Sequence, residues 1–183
     1  MAYHVVKYTG PFGYIKPWTA VRDGETYSQQ FLTPSIVEGM RQKLGCIGSI
    51  IGHRLQYAGL DMQQEQTRPR YFKKFGENFS ILMRGVMLSP SLFLAFEQSD
   101  DAARAFRQHI CLCRNEDILL PIENRTIDQT EWDSIPGFEL IFGQNDNAFL
   151  VGFNRFAQTN GTPEPMYGSL NVVGNPIQIG ELI

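Results

Sequence analysis

Residues 31-FLTPSIVEGMRQKLG-45 read as a helix with both ends written into the sequence. Thr33 is placed as the N-cap. Pro34 suits the first helical position, because the amide hydrogen it lacks would have no intrahelical acceptor there. Ser35 is a second capping candidate for a later start. Ile36, Val37, Met40 and Leu44 recur at helical spacing and form one apolar face, with Glu38, Arg41 and Gln42 opposite. Gly45 is the stop. Arg41 and Lys43 lie in the last turn, where cations complement the helix dipole whatever else they bind.

Working outward, YHVVKYT (3–9) reads as a strand, GPFG (10–13) as a turn and YIKPW (14–18) as extended chain. Residues 46–78 show no clean period. They run from Gly-rich CIGSIIGH through polar DMQQEQ to basic, aromatic TRPRYFKKFG, and are expected to be an excursion from the core. FSILMRGVML (79–88) and SLFLAFE (91–97) read as strands joined at Ser89-Pro90. Residues 99–113 read as a helix capped by Ser99, with Asp100 and Asp101 favouring its dipole and Ala102, Ala103, Phe106 and Ile110 as its apolar face. FELIF (138–142) and AFLVGFNRF (148–156) read as a hairpin around 143–147. YGSLNVV (167–173) and IQIGELI (177–183) are further strand candidates. The order strand, helix, strand, strand, helix, strand predicts an α+β chain with a ferredoxin-like βαββαβ core in a single domain, 1–183. That core is also the plan of the RNA-recognition motif, and it hosts many functions.

Hydrophobic residues make up 43% of the 183 residues, enough for a sizeable core. No apolar run approaches the roughly 18–20 residues a membrane-spanning helix needs. MAYHVVKYTG lacks the basic and apolar regions of a secretion signal, so a cytoplasmic protein without a membrane partner is expected. Cys46, Cys111 and Cys113 are expected to be reduced thiols, since Cys111-Leu-Cys113 is too tight for a usual zinc knuckle. The net charge of −3 hides an asymmetry. Residues 1–90 carry 11 Lys and Arg against 6 Asp and Glu, or +5, and residues 91–183 carry 5 against 13, or −8. A basic half on an acidic chain points to a polyanion partner on one face.

The segment 68-RPRYFKKF-75 interleaves Arg68, Arg70, Lys73 and Lys74 with Tyr71, Phe72 and Phe75. Cations pair with phosphates, and aromatic faces stack on splayed bases, as single-stranded RNA requires. Lys16, Trp18 and Arg22 form a second basic, aromatic group, and Arg41 and Arg54 are further candidate contacts. The histidines His4, His53 and His109 are scattered and form no i, i+4 metal pair, and no phosphate-cradling glycine motif is present. No metal or cofactor is expected. A metal-free ribonuclease would need a base and an acid or stabiliser around one phosphate, and His53, between basic and aromatic neighbours, is the best candidate. Asp100 and Asp101 read as helix-start residues rather than a catalytic pair.

The N-terminal pattern carries a resemblance. Gly10, Phe12, Gly13, Lys16, Pro17, Trp18, Tyr27, Ser28, Leu32, Thr33, Pro34, Ser35 and Gly39 resemble the Cas-five family of CRISPR-associated RAMP proteins over the first 45 residues. The resemblance implies a ferredoxin-like core with a protruding thumb, for which 46–78 is the inserted segment. It implies that the chain caps the 5′ handle of a CRISPR RNA within an effector complex. The implied partners are a Cas-seven-like backbone subunit and a large subunit. The short chain is similar to the smaller variants, including those of type IV systems. The chain departs from the family at 166-MYGSLNVVGNP-176, where the usual Gly-rich loop is weak, so no RNA contact is assigned there. One branch of the family is similar to metal-independent ribonucleases that process precursor CRISPR RNA, and Tyr27, His53 and Lys73 or Lys74 could supply its Tyr, His and Lys. A third reading is a protein-interaction domain that binds no RNA.

Overall fold

Valines and aromatics stand on both faces of AYHVVKYT, which forms β1 (Ala2–Thr9) and feeds two cores. Val6 and Tyr8 enter one, Val5 and Tyr3 the other. The computed structural model describes residues 2–17, 24–66, 70–72, 76–78, 81–159 and 161–178. After β1 come β2 (Phe12–Gly13), β3 (Glu25–Tyr27), α1 (Pro34–Leu44), β4 (Ile50–Gln56), β5 (Gly59–Gln66), β6 (Arg70–Phe72) and β7 (Gly76–Asn78). Then follow β8 (Ile81–Leu88), β9 (Ser91–Phe96), α2 (Ser99–Ala105), β10 (Ile110–Cys111), β11 (Ile118–Asp128), α3 (Gln129–Ser134), β12 (Gly137–Phe142), β13 (Phe149–Thr159) and β14 (Thr162–Val173). The protein is α+β, with mostly antiparallel sheet and few helices.

Eight strands form one antiparallel sheet in the order β10-β11-β1-β9-β4-β12-β14-β13. A smaller sheet is built around β8. It pairs with β5 along one edge and shares the other between β2 and parallel β3. A two-stranded pairing of β6 and β7 lies in the segment that joins β5 to β8.

Helix α1 spans the residues its sequence predicts. Val37, Met40 and Leu44 are buried, each such side chain contributing roughly 2 kcal/mol. Gly45 closes the helix at φ 67°, a left-handed conformation that suits glycine. Thr33 occupies the N-cap without a side-chain bond to a helix amide, and its Oγ1 instead shares a 3.0 Å hydrogen bond with Ser35 Oγ. The core of α1, α2 and one sheet face includes Leu55, Leu92, Leu94 and Phe96, and the opposite face carries Val5, Phe93 and Ala95 under Trp132 and Ile135.

The structure corrects several expectations. Ile50–Gln56 is not part of an excursion but a strand of the large sheet, between β9 and β12. Its polar residues His53, Arg54 and Gln56 are buried, so its composition hides its position. Residues 81–88, expected as a core strand, belong to the smaller sheet. The helix expected over 99–113 stops at Ala105, because Ile110 and Cys111 pair with Leu119 and Ile118. Its N-cap is Gln98, not Ser99. Strand β11 was not expected, since Pro121 interrupts its pattern. The proline sits where the register with β1 shifts, between Lys7↔Glu123 and Tyr8↔Pro121, and a bulge tolerates a residue that cannot donate. β12 and β13 do not pair as a hairpin, because β14 lies between them and pairs with both. Of the last strand candidate, Ile177 makes an isolated bridge to Tyr57, and 179–183 lie outside the described residues.

Candidate nucleic-acid interface

The basic, aromatic segment is carried by a hairpin arm. β5 and β8 pair without a break from Gly59↔Leu88 to Gln66↔Ile81. The chain between them then pairs Arg70 with Asn78 and Phe72 with Gly76. Arg70 and Tyr71 therefore belong to β6, while Arg68, Lys73 and Lys74 lie outside the described residues. Of the expected 46–78 segment, Ile50–Gln56 lies in the large sheet and Gly59–Gln66 outside it, paired with Ile81–Leu88.

The base of this arm is held by charge and aromatic contacts. The guanidinium carbons of Arg84 and Arg114 lie 5.6 and 5.5 Å from the ring centre of the buried Tyr14. Arg84 donates to Thr26 Oγ1 at 3.2 Å and pairs with Glu65 at 3.4 Å. Arg114 pairs with the buried Asp117 at 2.6 Å and reaches Gln63 Oε1 at 3.3 Å. The two arginines tie β5 and β8 to the loop before β11. Neither stood out in the sequence, since each reads there as an isolated charge.

Lys16 and Tyr27 lie beside this base. The Gln29 amide donates to the Ile15 carbonyl at 2.8 Å, and Ser28 Oγ accepts from the Ile15 amide at 2.9 Å, which brings the two segments together. Lys16 is exposed. Tyr27 is 52% exposed, and its hydroxyl donates to Glu25 Oε1 at 3.1 Å. Trp18 and Arg22 lie outside the described residues.

Arg41, Arg54 and His53 are spent on the protein itself. Arg41 forms a two-point pair with Glu38 at 2.7 and 2.8 Å and donates to the Cys46 carbonyl at 2.7 Å. The bonds from Arg41, and one from Gln42 Nε2 at 2.7 Å, hold the Glu38 carboxyl down to about 2. Adjacent residues of a strand point to opposite faces. His53 pairs in register with Leu94 and faces the helices, while Arg54 pairs with Phe93 and faces α3. Arg54 is buried, ion-paired with Glu139, and 4.9 Å from the Trp132 ring centre. Its pKa is pushed down by desolvation.

His53 Nε2 accepts from the Leu32 amide at 3.3 Å and the Leu140 amide at 3.2 Å. Burial pushes its pKa down to about 3, helped by the charge of Arg54. A ring nitrogen that already accepts two amide hydrogens is not free to take a substrate proton. His53 is in the large sheet and Tyr27 in the smaller one, and Lys73 lies outside the described residues. The described residues thus assemble no Tyr, His and Lys cluster.

No group of three His, Cys, Asp or Glu that could hold a metal occurs among the described residues. Nor is any helix among them long and apolar enough to cross a membrane. On the sheet face opposite α1 and α2, Trp132 and Ile135 cover Phe93. No protein-family model matches this chain, and no curated protein matches it.

Proposed function

We propose that the chain is a CRISPR RNA-binding subunit of a multisubunit effector complex, capping the 5′ handle of the RNA and contacting the backbone subunit. The observation that carries the reading is the β5–β8 arm, whose connecting segment contains 68-RPRYFKKF-75. A long hairpin bearing cations and aromatics supplies both attractions a single strand offers, phosphate charge and base stacking. The run β11-β1-β9-β4, with α1 between β1 and β4 and α2 between β9 and β11, supports a ferredoxin-like βαββαβ core. On this reading β12, β14 and β13 extend that core beyond β4.

The ribonuclease reading is weaker, because His53 is buried with its Nε2 occupied by two amides. The test is incubation of the purified protein with a labelled CRISPR-repeat RNA in the absence of metal, with bound and cleaved RNA read from the same samples. Salt-dependent binding of intact RNA is the expected result. Cleavage at one position would replace the capping role with processing. No binding at low salt would leave the protein-interaction domain.

A further inference from the structure

The large sheet opens between β4 and β12. One pair, Leu55↔Phe138, joins the two strands. Beyond it, side chains stand where ladder bonds would be. Glu139 Oε1 accepts from the His53 amide at 3.3 Å, and His53 Nε2 accepts from the Leu140 amide at 3.2 Å. Beside these contacts lies a cleft of about 460 Å³, lined by Trp132 and Asp133 of α3 and by Arg54, Glu139 and Asn171 of the sheet. We propose that the cleft binds a single unstacked guanine base.

Size limits the ligand first. Small-molecule sites run from about 300 to 1,000 Å³, so this one takes one nucleoside and not a folded partner. Charge limits it next. Glu139 and Asp133 face Arg54 alone, and that excess of negative charge admits a neutral base while keeping the phosphate of its nucleotide outside the cleft. Hydrogen bonding then selects among the bases. Glu139 and Asn171 are cross-strand partners on one face of the sheet. Asn171 makes no side-chain hydrogen bond with the described residues, so its amide offers a donor and an acceptor. A carboxylate keeps lone pairs beyond those used by Arg54 and the His53 amide. Guanine presents an imino and an amino hydrogen next to a carbonyl oxygen. The carboxylate accepts the two hydrogens and the amide donates to the oxygen. No other common base presents two adjacent donors on that edge. Arg54 Nε is buried with no partner among the described residues, an interior donor left uncompleted by them. Ile141, 48% exposed, offers an apolar surface for the ring.

The proposal rests on the RNA-binding reading only for the source of the base. The probes are guanosine, adenosine, cytidine and uridine monophosphates, titrated separately into the full chain by calorimetry. Guanosine monophosphate should bind about tenfold tighter than the other three, and Asn171→Ala should remove about that factor. Asn171→Ala breaks no bond within the described residues, so its fold should survive. Glu139→Gln, checked for folding by circular dichroism, should have the same effect. Equal affinity for all four nucleotides, no measurable binding of the guanosine nucleotide, or an unchanged affinity in Asn171→Ala would overturn the proposal. A parallel titration with a uridine oligonucleotide separates the two readings. Guanosine selectivity without oligonucleotide binding removes the RNA-binding role and keeps the cleft. Salt-dependent oligonucleotide binding without guanosine selectivity keeps the role and removes the cleft.

Discussion

Arg54 lies with its guanidinium carbon 4.9 Å from the ring centre of Trp132, on the sheet face that α3 covers. The same side chain pairs with Glu139 of β12, so it joins three elements at one point. A cation placed this way serves the fold, and its removal leaves a largely buried carboxylate without its partner. Arg54→Ala should cost about 3 kcal/mol of stability, read as a lower midpoint in urea. A stability equal to wild type with weakened RNA binding would instead return Arg54 to the surface role its sequence context suggests.

His53 gives the chain a predictable response to acid. Its folded pKa, down to about 3, lies below the ordinary histidine value near 6.5. The unfolded chain therefore binds this proton at a higher pH than the folded one. The stability from neutral His53 is complete above about pH 6.5 and declines as pH falls toward the folded value. Melting temperatures between pH 7 and 5 should fall more steeply for wild type than for His53→Gln. Parallel slopes would mean that His53 is not buried as a neutral acceptor.

Asp101 ties the turn after α1 to α2. Its carboxylate accepts from the Ile47 amide at 3.0 Å and the Gly48 amide at 2.7 Å, while Arg104 bridges it to the Gly45 carbonyl. Asp101→Ala leaves two amides without their acceptor and should cost about 2 kcal/mol. Asp101→Asn, which keeps one acceptor oxygen, should cost less. Equal losses for the two variants in chemical denaturation would contradict this role.

Gly52 marks where α3 meets the sheet. A Cβ there would lie 2.8 Å from Trp132 Cζ2 and 3.3 Å from Glu139 Oε1. Trp132 is 4% exposed and has little room to yield. Gly52→Ala should therefore destabilise by about 1–3 kcal/mol. A neutral or stabilising effect on the melting temperature would show that the indole can move.

In the segment that joins β5 to β8, Arg70→Ala and Lys74→Ala should each weaken binding of a CRISPR-repeat RNA. Each should also lower the salt slope by about 0.7 if its cation neutralises one phosphate. Unchanged affinity and slope from low to moderate salt would reject the arm as the RNA contact.

Local chemistry made part of this legible in advance. The ends of α1 depend on Thr33, Pro34 and Gly45, whose preferences act within a few residues. Strands β1 and β9 announce themselves by apolar and β-branched content over a single run. The segment 68-RPRYFKKF-75 was visible for the same reason, since its charge and aromaticity are contiguous. Composition failed where burial was satisfied from a distance. IIGHRLQ resembles an exposed basic stretch, yet it is a strand of the large sheet, because Glu139, Trp132 and the amides of Leu32 and Leu140 receive its polar groups. Those partners lie up to 87 residues away.

The sequence by itself determined the local elements whose signals are short in range: a capped helix, two early strands, a turn at Ser89-Pro90 and a basic, aromatic run. Only the tertiary structure decided that β4 lies between β9 and β12, that β14 separates β12 from β13, and that Arg54 is interior while Lys16 is exposed. Strand order and the burial of a charge depend on hydrogen-bond partners supplied by distant segments. No window of neighbouring residues contains those partners.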